Sequence, residues 1–249
     1  MGRAIAFGAL NSGVILPNEL AVCDLNTEKF SDLPEGVCVV TDVEELPQCE
    51  YVLFAVKPQG FSAVAKKYKP NGTVVSIMAG VKIDTIIASI NAKSVCRVMP
   101  NTPCMVGKGM CALCFDNCTE KDERFLISLF SALGKAVVVT EDELDAVTAV
   151  SGSGPAYVYY FVKSMVDAGV KLGLSEENAK ELALQTFDGA VEMVRTTGKP
   201  LSELIDNVCS PGGTTIQAIN CFDENNLSKI VSKAMERCAR RSAELSEGK

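Results

Sequence analysis

The sequence predicts an α/β domain built on a parallel sheet over residues 1–140 and an all-α domain over residues 141–249. In the first part, short apolar runs alternate with helix-length polar or amphipathic segments, which is typical of a parallel sheet covered by helices on both faces. After residue 140 the apolar residues recur at helical spacing instead. A chain of 249 residues can bury two hydrophobic cores of this kind.

Apolar runs bounded by turn residues predict the strands of the first domain. They cover residues 20–23, 37–41, 51–56, 72–77, 110–115 and 136–140. Helices are predicted over residues 3–11, 60–68 and 120–133, so the chain starts on a helix. A dinucleotide-binding sheet normally starts with a strand and a G-x-G-x-x-G turn. Residues 8–13 do not fit that turn, because Leu10 occupies the second glycine position.

The second domain is predicted to contain helices over residues 144–150, 175–197, 201–209 and 227–245, with a further helix starting at Pro155. The run 156–162 in that helix is apolar on every side, which predicts burial all round, most naturally in an intertwined dimer. Near the end of the last helix, Arg237, Arg240 and Arg241 are interpreted as a solvated face, with cations at the favourable end of the helix dipole.

Charge and hydropathy limit the classes of function. A formal net charge of −7 and a pI of about 4.9 argue against nucleic acid or a membrane surface as a partner. No apolar run approaches the roughly 20 residues that span a bilayer, and the first residues do not resemble a signal peptide. We therefore expect a cytoplasmic protein.

Eleven cysteines raise the question of a metal or redox site. Cys111 and Cys114 form a CxxC, but they lie in an apolar strand-like run, no second CxxC follows, and the chain has no histidine. We therefore interpret the cysteines as buried thiols and expect no metal. Any general acid or base must be another kind of side chain or water.

Three segments follow predicted strands at the edge where parallel sheets bind their ligands. Asp24 follows the first strand, where an acidic residue takes the ribose hydroxyls of an adenine dinucleotide, although an aspartate there is more commonly a turn residue. Lys57 follows the third strand and is available for a phosphate or a ribose. Ala79 and Gly80 follow the fourth strand, where small residues allow a ligand to approach closely.

Residues 210–215, Ser-Pro-Gly-Gly-Thr-Thr, predict a tight turn that opens a helix. The glycines let the backbone approach a ligand, and the first N–H groups of the helix favour a carboxylate or a phosphate. Thr214 and Thr215 add hydroxyl donors. A plain turn with a threonine N-cap is the alternative interpretation of this segment alone.

Four motifs stand in the order in which one enzyme family has them. They are residues 54–59 (Phe-Ala-Val-Lys-Pro-Gln), 97–103 (Arg-Val-Met-Pro-Asn-Thr-Pro), 147–157 (Val-Thr-Ala-Val-Ser-Gly-Ser-Gly-Pro-Ala-Tyr) and the 210–215 segment. On these motifs the sequence resembles the pyrroline-5-carboxylate reductases, and the resemblance spans essentially the whole chain. It implies a Rossmann-like parallel-sheet domain followed by an all-α dimerisation domain.

The resemblance also implies a reaction and a site. NADPH, or NADH in some members, would deliver hydride to the C=N bond of 1-pyrroline-5-carboxylate and form L-proline, in a homodimer or a higher homo-oligomer. The substrate-binding residues would be Ser210, Gly212, Gly213, Thr214 and Thr215, with Thr215 as the catalytic residue that hydrogen-bonds the ring nitrogen. The cofactor-binding residues would be Asp24, Ala55, Val56, Lys57, Pro58, Ala79 and Asn207. Imine reduction needs a positioned hydride donor and one weak hydrogen-bond donor, which suits a chain without histidine.

Three departures from the family pattern add expectations. Residues 1–5 align with the end of the family's glycine-rich motif, so we expect about ten residues, with the first strand and most of the phosphate-binding turn, to be absent. The sheet would then lack a middle strand, and the pyrophosphate would lose its binding site at a helix N-terminus. Lys163 stands where relatives often carry an acidic residue near the substrate. Asp24 stands where NADPH-preferring members have a small polar residue. A carboxylate at this position favours NADH, because it repels the 2′-phosphate of NADPH.

Two alternatives belong to other classes of function. A non-catalytic or weakly active truncated homologue would keep the helical dimer and bind the dinucleotide poorly. The missing glycine-rich turn favours that hypothesis, and the intact 210–215 segment disfavours it. Another NAD(P)-dependent reductase or dehydrogenase on the same scaffold would explain the first domain, but not motifs 147–157 and 210–215 in one chain.

Overall fold

The computed structural model describes residues 1–246. By packing, the chain divides into two compact units. Of the described residues, the first unit comprises Met1–Pro155 together with residues 237–246, and the second comprises Ala156–Glu236. Residues 141–155 thus pack with the sheet, whereas the sequence assigns them to the all-α domain. The predicted domain boundary between residues 140 and 141 stays a prediction.

The first unit contains the predicted strands and helices, with bounds that shift by a few residues. The strands are β1 Ala21–Cys23, β2 Cys38–Val40, β3 Tyr51–Phe54, β4 Thr73–Ser76, β5 Val95–Met99, β6 Gly109–Asp116 and β7 Gly134–Val138. The helices are α1 Gly2–Asn11, α2 Pro58–Lys67, α3 Ile83–Ile90, α4 Glu120–Ser131 and α5 Leu144–Val147. A π-helical turn, Thr148–Gly152, follows α5.

Two elements of this unit, α3 and β5, were not predicted. The charged Arg97 interrupts the apolar run of β5, so the sequence pattern does not predict a strand there. The connection between β1 and β2 also differs from expectation. It contains only a 3₁₀ turn, Thr27–Phe30, and not an α-helix that covers the sheet. Pro34 and Gly36 lie in this connection and disfavour a longer helix.

The strands form two sheets. β1 and β2 pair in parallel by themselves, and the other five strands are ordered β3-β4-β5-β6-β7. β3, β4 and β5 are parallel, whereas β6 pairs antiparallel with β5 and parallel with β7. The connection from β5 to β6 forms only a 3₁₀ turn, Thr102–Val106, which is too short for the crossover that parallel pairing requires. Within residues 1–246 no strand joins β1 to β3, so the sheet is divided at this point.

The core lies on the two faces of the five-stranded sheet. One face, with Val74 and Ala112, packs against α2 and α3. The other, with Val75 and Leu113, packs against α1 and α4. Successive side chains of a strand point to opposite faces, which produces the two clusters. The sheet is therefore covered on both faces, as predicted.

The second unit is helical. Its helices are α6 Gly154–Lys171, α7 Glu176–Thr197, α8 Leu201–Val208, α9 Thr214–Glu224 and α10 Leu227–Ser246, of which α6 begins and α10 ends among residues of the first unit. Ala179 and Ala183 are the buried residues of the described segment 156–236. Among the helices within residues 1–246, none combines the length and the apolar character needed to cross a membrane.

In the single chain α6 is not buried all round, and its burial in an intertwined dimer stays a prediction. No residue of α6 is buried, and Tyr160 is 76% exposed. A helix that is apolar on every side needs packing partners on every side, and the other helices of this chain do not supply them.

Candidate functional site

The carboxyl ends of β3 and β4 bring five of the predicted cofactor-binding residues to one edge. Residues 55–58 leave β3 and are exposed. β3 and β4 pair with Phe54 opposite Ser76, and Ile77 N donates to Phe54 O over 3.3 Å. The segment that follows β4 therefore runs beside residues 55–58. Ala55, Val56, Lys57, Pro58 and Ala79 share this edge, which we call the nucleotide edge.

The first helix begins at the nucleotide edge. An ideal Cβ placed on Gly2 would lie 2.8 Å from Ala55 Cβ, so the absence of a side chain lets the helix start approach the strand end. The first intrahelical hydrogen bond of α1 runs from Ile5 N to Met1 O, and no side chain caps the N-terminus. The N–H groups before Ile5 and the helix dipole thus form a seat for an anion such as a phosphate. The sequence led us to expect that the pyrophosphate loses its binding site at a helix N-terminus, and this expectation stays a prediction.

Asp24 lies at the carboxyl end of β1, in the two-stranded sheet. Its Oδ1 accepts hydrogen bonds from Asn26 N at 2.9 Å and from Lys29 Nζ at 3.0 Å. Partial burial acts to raise the pKa of the carboxyl, but these two hydrogen bonds and the Lys29 charge outweigh it and leave the pKa below its usual value. Asp24 is therefore ionised at neutral pH and serves as a turn residue. Its contact with the cofactor stays a prediction.

The 210–215 segment forms the predicted tight turn and opens α9. Gly212 adopts φ +73°, and Gly213 N donates to Ser210 O over 3.0 Å. An ideal Cβ on Gly213 would lie 2.5 Å from Ser210 Oγ, so the serine side chain lies close against the turn, and the positive φ of Gly212 is the feature that favours glycine. Gly213 is the N-cap and no side chain caps the helix, which leaves the first N–H groups of α9 available to an anion. Thr214 and Thr215 are the first helical residues and are exposed, so the alternative of a threonine N-cap does not hold.

Asn207 and Lys163 lie elsewhere in the second unit. Asn207 is exposed in the last turn of α8, shortly before the glycine turn. Lys163 lies on α6 and pairs with Asp167 over 2.5 Å, and its side chain is 72% exposed. This pair raises the pKa of Lys163, which therefore remains a cation at neutral pH. Whether either side chain contacts a ligand stays a prediction.

Asn101 is a residue whose role the sequence did not indicate. Its Nδ2 donates to Ser151 O at 3.2 Å, and its Oδ1 accepts from Met110 N at 2.9 Å. An ideal Cβ on Gly152 would lie 2.4 Å from Met99 Cε, so the π-helical turn packs closely on the chain leaving β5. The structure thus brings motifs 97–103 and 147–157 together. A π-helical turn commonly marks a functional site, but nothing in the local sequence distinguishes it from an α-helix.

The prediction that the cysteines are buried thiols holds for four of the eleven, whereas Cys38 and Cys221 are exposed and the other five are partly buried. All are free thiols, and Cys96, Cys104, Cys111 and Cys114 are buried. Cys111 and Cys114 pack on opposite faces of the sheet, because residues three apart on a strand point in opposite directions. The CxxC therefore cannot close on one metal ion. In the part of the chain that the structure describes, no group of three or more Cys, Asp or Glu side chains is placed to hold a metal.

Known proteins resemble this chain along nearly its whole length. Pyrroline-5-carboxylate reductase of Arabidopsis thaliana is 36% identical over 255 residues, covering 99% of this chain and 92% of the relative. The protein of the same name from Escherichia coli strain K12 is 34% identical over 256 residues, covering 99% and 95%. The chain belongs to the pyrroline-5-carboxylate reductase family. Residues 141–245 also match the family model described as pyrroline-5-carboxylate reductase dimerisation. Residues 1–80 match the model described as NADP oxidoreductase, coenzyme F420-dependent.

Solved structures of reductases in this family share the fold. The crystal structure of Plasmodium falciparum pyrroline carboxylate reductase with NADP bound superposes with a TM-score of 0.88 at 34% identity, covering 99% of this chain and 94% of that one. The Coxiella burnetii pyrroline-5-carboxylate reductase gives a TM-score of 0.90 at 30% identity, covering 98% and 94%. The predicted fold class, a Rossmann-like sheet domain followed by a helical dimerisation domain, is confirmed.

Proposed function

We propose that this reductase converts 1-pyrroline-5-carboxylate to L-proline with NADPH or NADH. The observation that carries the proposal is the uncapped N-terminus of α9 behind a turn in which Gly212 has a positive φ, in a chain that belongs to this family along nearly its whole length. A reductase with an uncharged substrate would not need an anion-binding site at the start of α9.

The substrate carboxylate is assigned to the turn formed by Ser210, Gly212, Gly213, Thr214 and Thr215. The free N–H groups at the start of α9 donate to its oxygens, and the helix dipole favours its charge. Thr215 is assigned the hydrogen bond to the ring nitrogen, because its exposed hydroxyl can donate to an atom next to the bound carboxylate. The ring nitrogen also takes up one proton, which water supplies, while Thr215 holds the nitrogen by its hydrogen bond, so no histidine is needed.

The cofactor is assigned to the nucleotide edge, with Asp24 and Asn207 as further contacts. The donor set fits a dinucleotide: the start of α1 offers N–H groups to phosphate, Lys57 offers a cation, and Ala55 and Ala79 permit close approach. When bound, the dinucleotide supplies the hydride that the imine carbon accepts. The relative from Plasmodium falciparum was crystallised with NADP, which supports a dinucleotide as the cofactor.

The functional molecule is assigned as a homodimer, with further association of dimers left open. The described residues of 156–236 bury only two alanines while exposing many large apolar side chains, so this unit lacks a core of its own. A second copy of the same unit is the partner that the matching dimerisation model supports. Free thiols throughout the chain suit a reducing compartment, and we assign the protein to the cytoplasm.

The test is the oxidation of NADPH and, separately, NADH by the purified chain with 1-pyrroline-5-carboxylate. Turnover with either dinucleotide supports the reductase. Binding of a dinucleotide without turnover of this imine would favour another reductase on the same scaffold. Absence of both binding and turnover would favour a non-catalytic homologue.

Thr215→Ala tests the assigned donor. We expect kcat to fall about tenfold to a hundredfold, because one hydrogen bond to the reacting nitrogen is lost. The Kd for the dinucleotide should stay unchanged. Thr186→Ala is the matched control, since its hydroxyl bonds only the Leu182 carbonyl within α7, and it should leave kcat unaltered. Equal kcat for wild type and Thr215→Ala would remove Thr215 from the mechanism.

A further inference from the structure

Arg97 is a buried cation within the sheet, and Glu141 is its partner. Arg97 lies on β5 and is 8% exposed. Its Nη1 donates to Glu141 Oε1 over 2.6 Å. A buried charge is costly unless an opposite charge and hydrogen bonds satisfy it, so the position of Glu141 is set by the sheet.

The same carboxylate oxygen caps a helix from outside. Ile83, the first residue of α3, donates its N–H to Glu141 Oε1 over 2.9 Å. Lys82, the N-cap residue, makes no side-chain capping bond. A carboxylate at this place satisfies a free N–H and interacts favourably with the helix dipole. Glu141 therefore ties the start of α3 to β5.

The segment between β4 and α3 holds Ala79 and is fixed at three points. At its start, Met78 N donates to Ser76 Oγ over 3.3 Å. In its middle, Gly80 has φ +73° and lies so close to α10 that an ideal Cβ would be 3.0 Å from the Leu245 carbonyl carbon. At its end, Glu141 holds Ile83. The position of the exposed Ala79 depends on all three.

We propose that Glu141 is a positioning residue for the dinucleotide. Through the Ile83 N–H it holds residues 77–82 in the place where Ala79 meets the cofactor at the nucleotide edge. The inference rests on the cofactor role proposed above for Ala79. Glu141 acts through the backbone of α3 and leaves the imine site in the second unit untouched.

Glu141→Ala is the primary test, with Asp142→Asn, the exposed neighbouring carboxylate, as the control. We expect the KM and Kd for the dinucleotide to rise about tenfold in Glu141→Ala, the size typical of a residue that acts through others. The KM for 1-pyrroline-5-carboxylate and the kcat should change less than twofold. Binding is followed by NADPH and NADH fluorescence, since the chain has no tryptophan. An unchanged dinucleotide Kd, or a rise in the KM of the imine alone, overturns the proposal.

A double variant separates positioning from stability. Arg97→Met with Glu141→Leu replaces the ion pair by apolar side chains, which commonly restores the stability lost when one partner is removed. Leucine cannot accept the Ile83 N–H, so the melting temperature should recover while the dinucleotide Kd stays about tenfold raised. Recovery of both values would show that Glu141 is only structural.

Hydrogen exchange tests the positioning without any ligand. In the free protein, amides of residues 77–83 should exchange about tenfold faster in Glu141→Ala and at the wild-type rate in Asp142→Asn. Unchanged exchange overturns the proposal even if wild type binds no dinucleotide. Faster exchange in a protein that binds no dinucleotide would support the positioning and contradict the proposed function instead.

Discussion

If Asp24 contacts the cofactor as proposed, its charge bears on the choice between NADPH and NADH. Its carboxylate is ionised and holds the turn after β1 through Asn26 N, and Lys29 Nζ lies 3.0 Å from the same oxygen. The carboxylate repels a 2′-phosphate and accepts a hydrogen bond from a free 2′-hydroxyl. The neighbouring lysine offsets part of that repulsion.

Asp24→Ser should therefore raise the ratio of kcat/KM for NADPH to that for NADH, about tenfold for a change of about 1.4 kcal/mol. Serine can still accept the Asn26 N–H, so the turn is kept. The effect should shrink at high salt, because charge repulsion at an exposed site is screened. Glu35→Ser, an exposed carboxylate in the same connection, is the control. An unaltered ratio in Asp24→Ser would show that Asp24 is a turn residue and nothing more.

The start of α4 shows how one element is held by a capping box. Thr119 Oγ1 donates to Asp122 Oδ2 at 2.7 Å and accepts the Asp122 N–H at 3.2 Å. Tyr51 OH on β3 donates to Asp122 Oδ1 at 3.0 Å, so the cap also ties α4 to the sheet. The hydrogen bond from the Thr119 hydroxyl is the main cause that lowers the pKa of Asp122, and burial opposes it. Since the folded pKa is depressed, the carboxylate stabilises the fold above its unfolded pKa, and this contribution is lost as pH falls through the folded value.

Asp122→Asn should lower the free energy of unfolding by about 1 kcal/mol at pH 7, the usual cost of a weakened cap. The difference from wild type should shrink as pH is lowered from 5 toward 3, because protonation removes the charge from wild type as well. Urea unfolding at each pH gives both values. Glu120→Gln, whose pair with Arg124 is exposed, should change stability by less than about 0.5 kcal/mol. A difference independent of pH would contradict the charged role of Asp122.

At the scale of the whole molecule, the helical unit depends on a second chain. On α6, Val158, Tyr159 and Tyr160 are exposed, and Phe161, which packs edge-to-face on Phe187, is still 38% exposed. An apolar surface of this extent in one monomer marks an interface. Stability should therefore depend on protein concentration.

Tyr160→Asp should dissociate the oligomer, because it places a charge in a face that the second chain desolvates. We expect a smaller sedimentation coefficient and a lower melting temperature that no longer rises with protein concentration. Met105→Asp, an equally drastic change at a residue 73% exposed in the first unit, is the control and should leave the assembly intact. An unchanged sedimentation coefficient in Tyr160→Asp would place the interface elsewhere.

The sequence alone determined the order of the two fold types, the strands at which the nucleotide edge forms, and the glycine turn before α9. These features are local, since helix and strand periods and turn residues act within a few neighbouring positions. The conformation of Gly212 is one such case, because its φ of +73° is one that backbone sterics favour only for glycine.

Only the tertiary structure decided the rest. The cap that Glu141 provides to Ile83 joins residues 58 positions apart, and Asn101 reaches Ser151 across 50 positions. The reversal of β6 follows from the length of one connection, and the exposure of α6 from the number of helices available to cover it. Such contacts depend on which distant segments the fold brings together. The residue types and spacing around Arg97 and Asn101 do not predict which distant residues these side chains contact.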